Sequence, residues 1–226
     1  MSFKGAIFDL DGVIVDTVPL HFAAWRYLFE EKFGVPFTKL DYEAKVDGKP
    51  RIDGVLSVLT HLSREEATAA GDIKQERYLG LLHQDEIIKF ASSFALIEEL
   101  LKHKILLATA SSSKNAPYIL EKVGLARKMR AIVCGTDIVY GKPHPEIFLK
   151  AASELGLDAS ECVVFEDAKS GVEAAKAGGF FCVGIDRHNQ PQNYVLADLV
   201  IKDLLEVNYE ILAEKLFNFE KNKQQR

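Results

Sequence analysis

Cysteine is scarce in this chain of 226 residues, and the few copies are dispersed. Cys134, Cys162 and Cys182 lie far apart within apolar runs and form no Cys-x-x-Cys pair. A small, odd and scattered set is typical of buried thiols in a reducing compartment, and it argues against a disulfide framework or a zinc site. We therefore expect a cytoplasmic protein with buried free thiols.

Long apolar runs are also missing. No stretch approaches the roughly 18 apolar residues of a membrane-spanning helix, and residues 1–9 lack the apolar run of a signal peptide. The formal net charge is −5 with both signs interspersed, so no basic stripe offers a surface for a nucleic-acid backbone. We expect a monomer whose partner is a small molecule, with neither nucleic acid nor membrane involved.

The composition is that of a globular protein, with 48% hydrophobic and 27% charged residues. Short continuous apolar runs predict strands that are covered on both faces, at residues 6–8, 105–108, 131–134, 162–165, 180–183 and 199–201. Helical patterns lie between them, over residues 115–123, 145–155 and 171–177. This alternation predicts an α/β fold with a parallel sheet and right-handed crossovers.

One long interval after the first strand breaks the alternation and shows helical patterns with no convincing strand. Its first helix carries a stripe at spacings of three and four residues, formed by Phe22, Trp25, Phe29 and Phe33. Pro19 suits the first turn of that helix. We predict a core domain of residues 1–16 and 91–226, with an α-helical cap domain of residues 17–90 inserted after the first strand.

The first predicted strand ends in two carboxylates, Asp9 and Asp11. Residues i and i+2 of an extended chain project to the same side, so both can face one substrate. Asp9 could attack phosphorus and form an aspartyl phosphate while Asp11 shuttles protons. Gly12 gives the chain freedom to turn away. The alternative is a solvated Asp-x-Asp-Gly turn, so the motif alone is only moderately specific.

A second polar loop, residues 111–115, follows the strand predicted at residues 105–108. Its serine hydroxyls, backbone N–H groups and Lys114 would form an anion site at the start of a helix. The alternative is that Ser113 simply caps that helix.

A third loop, residues 141–145, carries Lys142 between a glycine and two prolines. Lys142 would balance the charge of Asp9 and of a bound phosphate, although an exposed lysine before a helix is otherwise unremarkable.

The fourth loop begins with Glu166 and Asp167, directly after the predicted strand at residues 162–165. Adjacent acids next to Asp9 and Asp11 would be costly without a cation. Oxygen ligands of this kind suit Mg²⁺, which would also neutralise a transferring phosphoryl group. The alternative is that Asp167 is a helix N-cap.

Four such loops at four strand ends resemble the motifs of the haloacid dehalogenase superfamily, across essentially the whole chain. The first motif corresponds to Asp9 and Asp11, the second to Ser111, the third to Lys142, and the fourth to Glu166 and Asp167. The resemblance implies a Rossmann-like core with a helical cap. It also implies that Asp9 is the nucleophile and Asp11 the general acid and base. Mg²⁺ would then be held by Asp9, the Asp11 backbone carbonyl and Asp167, with Glu166 supporting or ligating it.

Within this superfamily the chain is most similar to the β-phosphoglucomutases. The similarity is carried by residues 9–17, 21–25, 113–115, 142–143, 148–152, 165–168 and 171–175, and by the cap loop of residues 47–51. It implies that the substrate is a sugar phosphate. The implied substrate-binding residues are His21, Trp25, Gly48, Arg51, Lys74, Ser112, Ser113, Lys114 and Asn115.

The resemblance leaves the acceptor of the phosphoryl group to be decided. A mutase needs two phosphate sites, and Arg51 with its planar guanidinium suits the second; the alternative is a solvated arginine. A sugar-phosphate mutase is therefore favoured over a sugar phosphatase, and a non-catalytic sugar-phosphate-binding protein is the remote alternative. Gly54 and Asp47 depart from the subgroup pattern, so the sugar could be another aldose phosphate.

Overall fold

The computed structural model describes residues 3–46 and 49–224. The chain divides into two compact units, one of residues 1–16 and 88–226 and the other of residues 17–87. Within the described ranges, no helix has the length and apolar character to cross a membrane.

The first unit is built on a parallel sheet. The strands of the described chain are β1 (Gly5–Phe8), β2 (Val15–Asp16), β3 (Ile88–Lys89), β4 (Leu106–Ala110), β5 (Ala131–Val133), β6 (Cys162–Glu166), β7 (Phe181–Ile185) and β8 (Leu199–Ile201). Six of the described strands form one sheet in the order β5-β4-β1-β6-β7-β8, and every pair in it is parallel. The predicted α/β class and parallel sheet are confirmed, and β1 lies at the centre of the sheet.

Helices connect these strands and form the second unit. In the described chain they are α1 (Val18–Arg26), α2 (Lys39–Asp41), α3 (Arg51–Val58), α4 (Arg64–Gln84), α5 (Ala91–Lys102), α6 (Ala116–Lys122), α7 (Glu146–Leu155), α8 (Lys169–Ala177) and α9 (Tyr209–Gln224). Two π-helical segments, Tyr27–Lys32 and Tyr42–Val46, extend α1 and α2. The helices α1 to α4 belong to the second unit.

The sheet is buried on both faces, which explains its continuous apolar strands. On one face Ile7 and Val164 pack with Phe148 of α7 and Val172 of α8 in a single apolar cluster. Alternate residues point the other way, where the rings of Phe8 and Phe165 stack with centroids 4.6 Å apart. Cys134, Cys162 and Cys182 are buried free thiols, as predicted.

A short antiparallel ribbon corrects the prediction that residues 17–90 contain no strand. Val15 pairs with Lys89 and Asp16 with Ile88, so β2 and β3 join the first unit at the points where the chain leaves it and returns. A strand of two residues is too short to show alternation, and both residues of β3 are exposed. No pattern could therefore have predicted it.

The second unit has an aromatic core of its own. Trp25 and Phe29 are buried and stack with ring centroids 5.4 Å apart, and Phe37 packs beside them. Pro19 lies in the first turn of α1, as predicted. Phe33 departs from the predicted stripe because it follows the end of the helical segment, where it is 37% exposed.

Candidate active site

Asp9 lies at the carboxyl end of the central strand. The backbone N–H of Asp9 donates to the carbonyl of Phe165 at 2.9 Å, which extends the β1–β6 ladder by one residue and leaves Asp9 only 7% exposed. Gly12 then adopts a φ of 81°, which favours glycine. A Cβ at Gly12 would overlap the carboxylate of Asp167, so the first and fourth loops pack directly against each other.

Lys142 joins two of these acids across a long sequence separation. Its Nζ donates to Asp9 Oδ1 at 2.5 Å and to Glu166 Oε1 at 2.5 Å, and it lies 3.4 Å from the carbonyl oxygen of Ala110. Its side chain is 8% exposed, so the two ion pairs are shielded from water. Charge-assisted hydrogen bonds of this kind fix the orientation of both carboxylates.

The acidic loop after β6 is held by backbone contacts and close packing. Glu166 is 1% exposed, and its Oε2 accepts from the N–H of Ala168 at 2.8 Å. A Cβ at Gly171 would overlap the Glu166 carboxylate, so this glycine makes room for an acid. The N-cap of α8 is Ala168, which removes the alternative that Asp167 caps that helix.

The electrostatics of this site favour an added cation. Burial raises the pKa of Asp9 to about 7; Lys142 opposes this rise, while the charges of Glu166 and Asp11 add to it. Burial and the charge of Glu166 also raise the pKa of Asp167. Burial by itself lowers the pKa of Lys142, but the charges of Asp9 and Glu166 outweigh it and raise the value. One ammonium thus faces several acids, and these are oxygen donors of the type that Mg²⁺ prefers.

The described residues do not contain a ready-made metal cluster. Among residues 3–46 and 49–224, no group of three or more His, Cys, Asp or Glu side chains is arranged to hold a metal ion. The ammonium of Lys142 lies between the carboxylates of Asp9 and Glu166. The donor chemistry fits a hard divalent cation.

The serine loop lies at the end of β4, which is the neighbour of β1. Ser111 is 1% exposed, its N–H donates to the carbonyl of Val133, and its Oγ accepts from the N–H of Ser113 at 3.1 Å. The Oγ of Ser113 accepts in turn from the N–H of Asn115 at 3.2 Å. The N-cap of α6 is Asn115, so the alternative that Ser113 caps this helix is wrong.

Two predicted residues of this loop are accessible to a ligand. Ser112 and Lys114 are both exposed. The loop therefore combines a hydrogen-bonded backbone with an exposed serine and an exposed lysine.

The helical unit places three of its predicted residues in one cluster. Lys74 is 4% exposed, and its Nζ lies 2.8 Å from His21 Nδ1 and 5.0 Å from the ring centroids of Trp25 and Tyr78. The His21 ring stacks on Tyr78 at 4.1 Å. Burial, followed by the charge of Arg51, lowers the pKa of Lys74 to about 7.

The histidine of this cluster is neutral at ordinary pH. Burial, followed by the charge of Lys74, lowers the pKa of His21 to about 3. Its Nδ1 can therefore accept a hydrogen bond from the Lys74 ammonium. Because burial penalises the charged form of Lys74, a bound anion would stabilise the ammonium.

Of two other predicted substrate-binding residues, Arg51 and Gly48, the structure describes only the first. Arg51 is the first residue of α3 and pairs with Asp72 at 3.0 Å, with 36% of its side chain exposed. Gly48 lies outside the described residues.

Two side chains that the sequence did not single out contact the first and fourth loops. The hydroxyl of Tyr194 donates to the carbonyl of Asp167 at 2.5 Å. Arg187 donates from Nε to the carbonyl of Gly12 at 3.3 Å and lies 4.0 Å from the ring centroid of Phe90. Both come from the segment after β7, which has no periodic pattern that could have pointed to a site.

The chain is similar to known proteins of one family. The model of the haloacid dehalogenase-like hydrolase family matches residues 3–179. The chain is 33% identical over 221 residues to the β-phosphoglucomutase of Bacillus subtilis (strain 168), covering 94% of this chain and 95% of that protein. It is 32% identical over 181 residues to a phosphorylated carbohydrates phosphatase of Thermotoga maritima, covering 78% and 82%.

A solved structure extends the agreement to three dimensions. The crystal structure of a β-phosphoglucomutase from Clostridium difficile superposes with a TM-score of 0.78 at 28% identity, covering 96% of this chain and 98% of that chain. The chain belongs to the haloacid dehalogenase-like hydrolase family, in its β-phosphoglucomutase-like subgroup.

Proposed function

We propose that this protein is a magnesium-dependent sugar-phosphate mutase of the β-phosphoglucomutase type. It would convert β-glucose 1-phosphate, or a close aldose phosphate, to the 6-phosphate through an aspartyl phosphate on Asp9. The observation that supports this most is the buried Asp9 carboxylate, which Lys142 holds at the carboxyl end of the central strand. Ligands of open parallel sheets bind at this edge.

The first half of the reaction forms the phosphoenzyme. Lys142 engages Oδ1 of Asp9 and so fixes the direction of the second carboxylate oxygen. Asp9 forms a bond to phosphorus while the bond from phosphorus to the sugar oxygen breaks, and Asp11 gives a proton to that leaving oxygen. Ser111 and Lys142 would bind the phosphoryl oxygens.

The second half determines the class of enzyme. In a mutase a hydroxyl of a bound sugar monophosphate attacks the phosphoryl group on Asp9, the bond between phosphorus and Asp9 breaks, and Asp11 takes up the proton of that hydroxyl. The product of this step is a sugar bisphosphate, which must turn around so that its other phosphate faces Asp9. In a phosphatase water attacks in place of the sugar hydroxyl. Both routes return Asp9 to its free form, so only the acceptor distinguishes them.

Magnesium fits the donor set, and Asp9, Asp167 and the backbone carbonyl of Asp11 would hold it, with Glu166 in support. When bound, the ion supplies positive charge that offsets the acids and the transferring phosphoryl group. The raised pKa values of Asp9 and Asp167 support this assignment, because each carboxylate would gain from a nearby cation.

The similarity to the Bacillus subtilis β-phosphoglucomutase over almost the whole of both chains supports the mutase. A phosphatase that acts on a sugar phosphate is the second candidate, favoured by the similarity to the Thermotoga maritima phosphatase. A mutase must bind a second phosphate, and we assign Arg51 to it because a guanidinium can form two parallel hydrogen bonds to one phosphate.

We expect that Arg51→Ala lowers the isomerisation of β-glucose 1-phosphate about 100-fold, because the second phosphate loses a charge-assisted, bidentate partner. The rate is measured by a coupled assay for glucose 6-phosphate, with release of inorganic phosphate followed in parallel. Folding should be little affected, since Arg51 pairs with Asp72 at the surface.

The matched control is Arg64→Ala. Arg64 is an arginine of the same unit whose side chain is 74% exposed and lies 3.6 Å from Asp53. Its removal should leave isomerisation within about 2-fold of the unaltered protein. If Arg51→Ala leaves turnover of the monophosphate nearly unchanged, the result contradicts the mutase and favours the phosphatase.

A further inference from the structure

The segment between β7 and β8 buries one tyrosine beneath the acidic loop. Tyr194 is 5% exposed, although the two residues that follow it are 80% and 55% exposed. Its ring lies against Gly184 of β7, where a Cβ would be 2.7 Å from Tyr194 Cδ1. A glycine in the middle of a strand therefore provides the space for this ring.

The hydroxyl of Tyr194 is directed at the backbone of the acidic loop. Its oxygen lies 2.5 Å from the carbonyl oxygen of Asp167 and 3.0 Å from that of Ile185. Both partners are acceptors and a hydroxyl carries one hydrogen, so the shorter contact to Asp167 is the stronger hydrogen bond. The ring thus connects the acidic loop to the neighbouring strand β7.

This contact completes the fixation of one peptide group. The peptide between Asp167 and Ala168 accepts from Tyr194 at its carbonyl, and its N–H donates to Glu166 Oε2 at 2.8 Å. Both polar ends of the peptide are therefore held by side chains. The direction of the Asp167 side chain follows from its backbone, and its carboxylate packs against Gly12.

We propose that Tyr194 is a positioning residue for the divalent cation, which acts by fixing the peptide after Asp167. The inference rests on the proposed function, in which Asp167 is a metal ligand. Groups that orient metal ligands through hydrogen bonds change metal affinity by roughly 10- to 100-fold when they are removed. Tyr194 does not contact the reacting atoms in this assignment.

The test is Tyr194→Phe, which removes the hydroxyl and keeps the ring that fills the space over Gly184. We expect the dissociation constant for Mg²⁺, measured by titration calorimetry without substrate, to rise about 10-fold. Mn²⁺ binding, followed by electron paramagnetic resonance, should weaken in parallel. The Mg²⁺ concentration for half-maximal activity should rise by the same factor, while the KM for the sugar phosphate and kcat at saturating Mg²⁺ stay within about 2-fold.

The control is Tyr140→Phe, since Tyr140 is 60% exposed and its ring contacts His144. It should leave both metal affinities unchanged.

Several outcomes would overturn the inference. The inference is wrong if Tyr194→Phe binds Mg²⁺ and Mn²⁺ with affinities within about 2-fold of those of the unaltered protein. It is also wrong if the metal-free variant has a lower melting temperature but an unchanged metal affinity, because the role of the hydroxyl is then only structural. If the unaltered protein binds neither Mg²⁺ nor Mn²⁺, the magnesium assignment of the proposed function fails and this inference fails with it.

Discussion

Replacing Asp9 by asparagine should lower turnover about a thousandfold or more, because the amide cannot form the aspartyl phosphate. A thousandfold loss corresponds to about 4 kcal/mol of transition-state stabilisation. Asparagine has nearly the same shape, and burial disfavours the ionised form of Asp9. We therefore expect the variant to remain folded. Initial rates and circular dichroism on the same preparations measure both effects.

The control for this change is Asp85→Asn, at an exposed aspartate that follows α4. It should retain the activity of the unaltered protein. A rate for Asp9→Asn within 10-fold of the unaltered protein would show that Asp9 is not the nucleophile. An unaltered protein that binds sugar phosphate but has no turnover to lose would favour the non-catalytic alternative.

Replacing Lys142 by methionine should reduce both stability and activity. The change keeps an apolar stem but leaves Asp9 and Glu166 as buried acids that face each other without the shared ammonium. Removing one partner from a buried ion pair costs about 3–5 kcal/mol. Activity should fall on the order of 100- to 1000-fold, since a preorganised positive charge at the phosphoryl group is lost.

The stability deficit of Lys142→Met should grow as the pH rises. The folded-state pKa of Asp9, about 7, is above its ordinary value of 3.8, so between these values the native state holds a proton that the unfolded chain has released. The stability that Asp9 contributes is therefore complete below pH 3.8 and is lost as the pH rises through 7. Lys142 opposes the rise in the pKa of Asp9. Its removal therefore enlarges the loss of stability that accompanies the rise in pH.

Urea unfolding of the metal-free protein at pH 5 and pH 7.5 measures this dependence. Lys169→Met is the control, because the Lys169 side chain is 64% exposed and its pair with Glu173 spans 3.9 Å. It should change the free energy of unfolding by less than about 0.5 kcal/mol at either pH. A deficit for Lys142→Met that is equally small would contradict the buried double ion pair.

The sequence predicted the parts of the fold that repeat over several residues. The apolar runs of β1, β4 and β6 are long enough to identify buried strands, and each ends next to a polar loop that carries candidate residues. Chain order and sheet topology then determine that Asp9 and Glu166 lie at one edge. These features follow from local pattern and from the general rules of parallel sheets.

Other features depend on contacts between residues that are distant in sequence, and such contacts produce no local sequence pattern. Lys142 was predicted to balance the charge of Asp9, but its second ion pair, with Glu166, was not predicted and is visible only in three dimensions. The structure shows that Gly171 makes room for the Glu166 carboxylate, a contact that no sequence pattern indicates. Tyr194 lies in an irregular segment, where neither spacing nor composition indicates that its hydroxyl reaches Asp167.

The N-terminal boundary of α6 was also predicted wrongly. A serine ahead of a helical pattern is a common N-cap, so Ser113 was a reasonable candidate. In the structure its Oγ accepts from Asn115 within the loop, and α6 begins one residue after Asn115. Ser, Asn and Asp compete for the same turn and cap geometries, and the sequence alone does not rank them here.

The fate of the phosphoryl group distinguishes a mutase from a phosphatase. The purified protein is given β-glucose 1-phosphate, Mg²⁺ and a trace of the 1,6-bisphosphate, and the products are followed by ³¹P nuclear magnetic resonance. We expect glucose 6-phosphate to accumulate with little inorganic phosphate. Rapid release of inorganic phosphate without any glucose 6-phosphate would contradict the mutase and identify water as the acceptor.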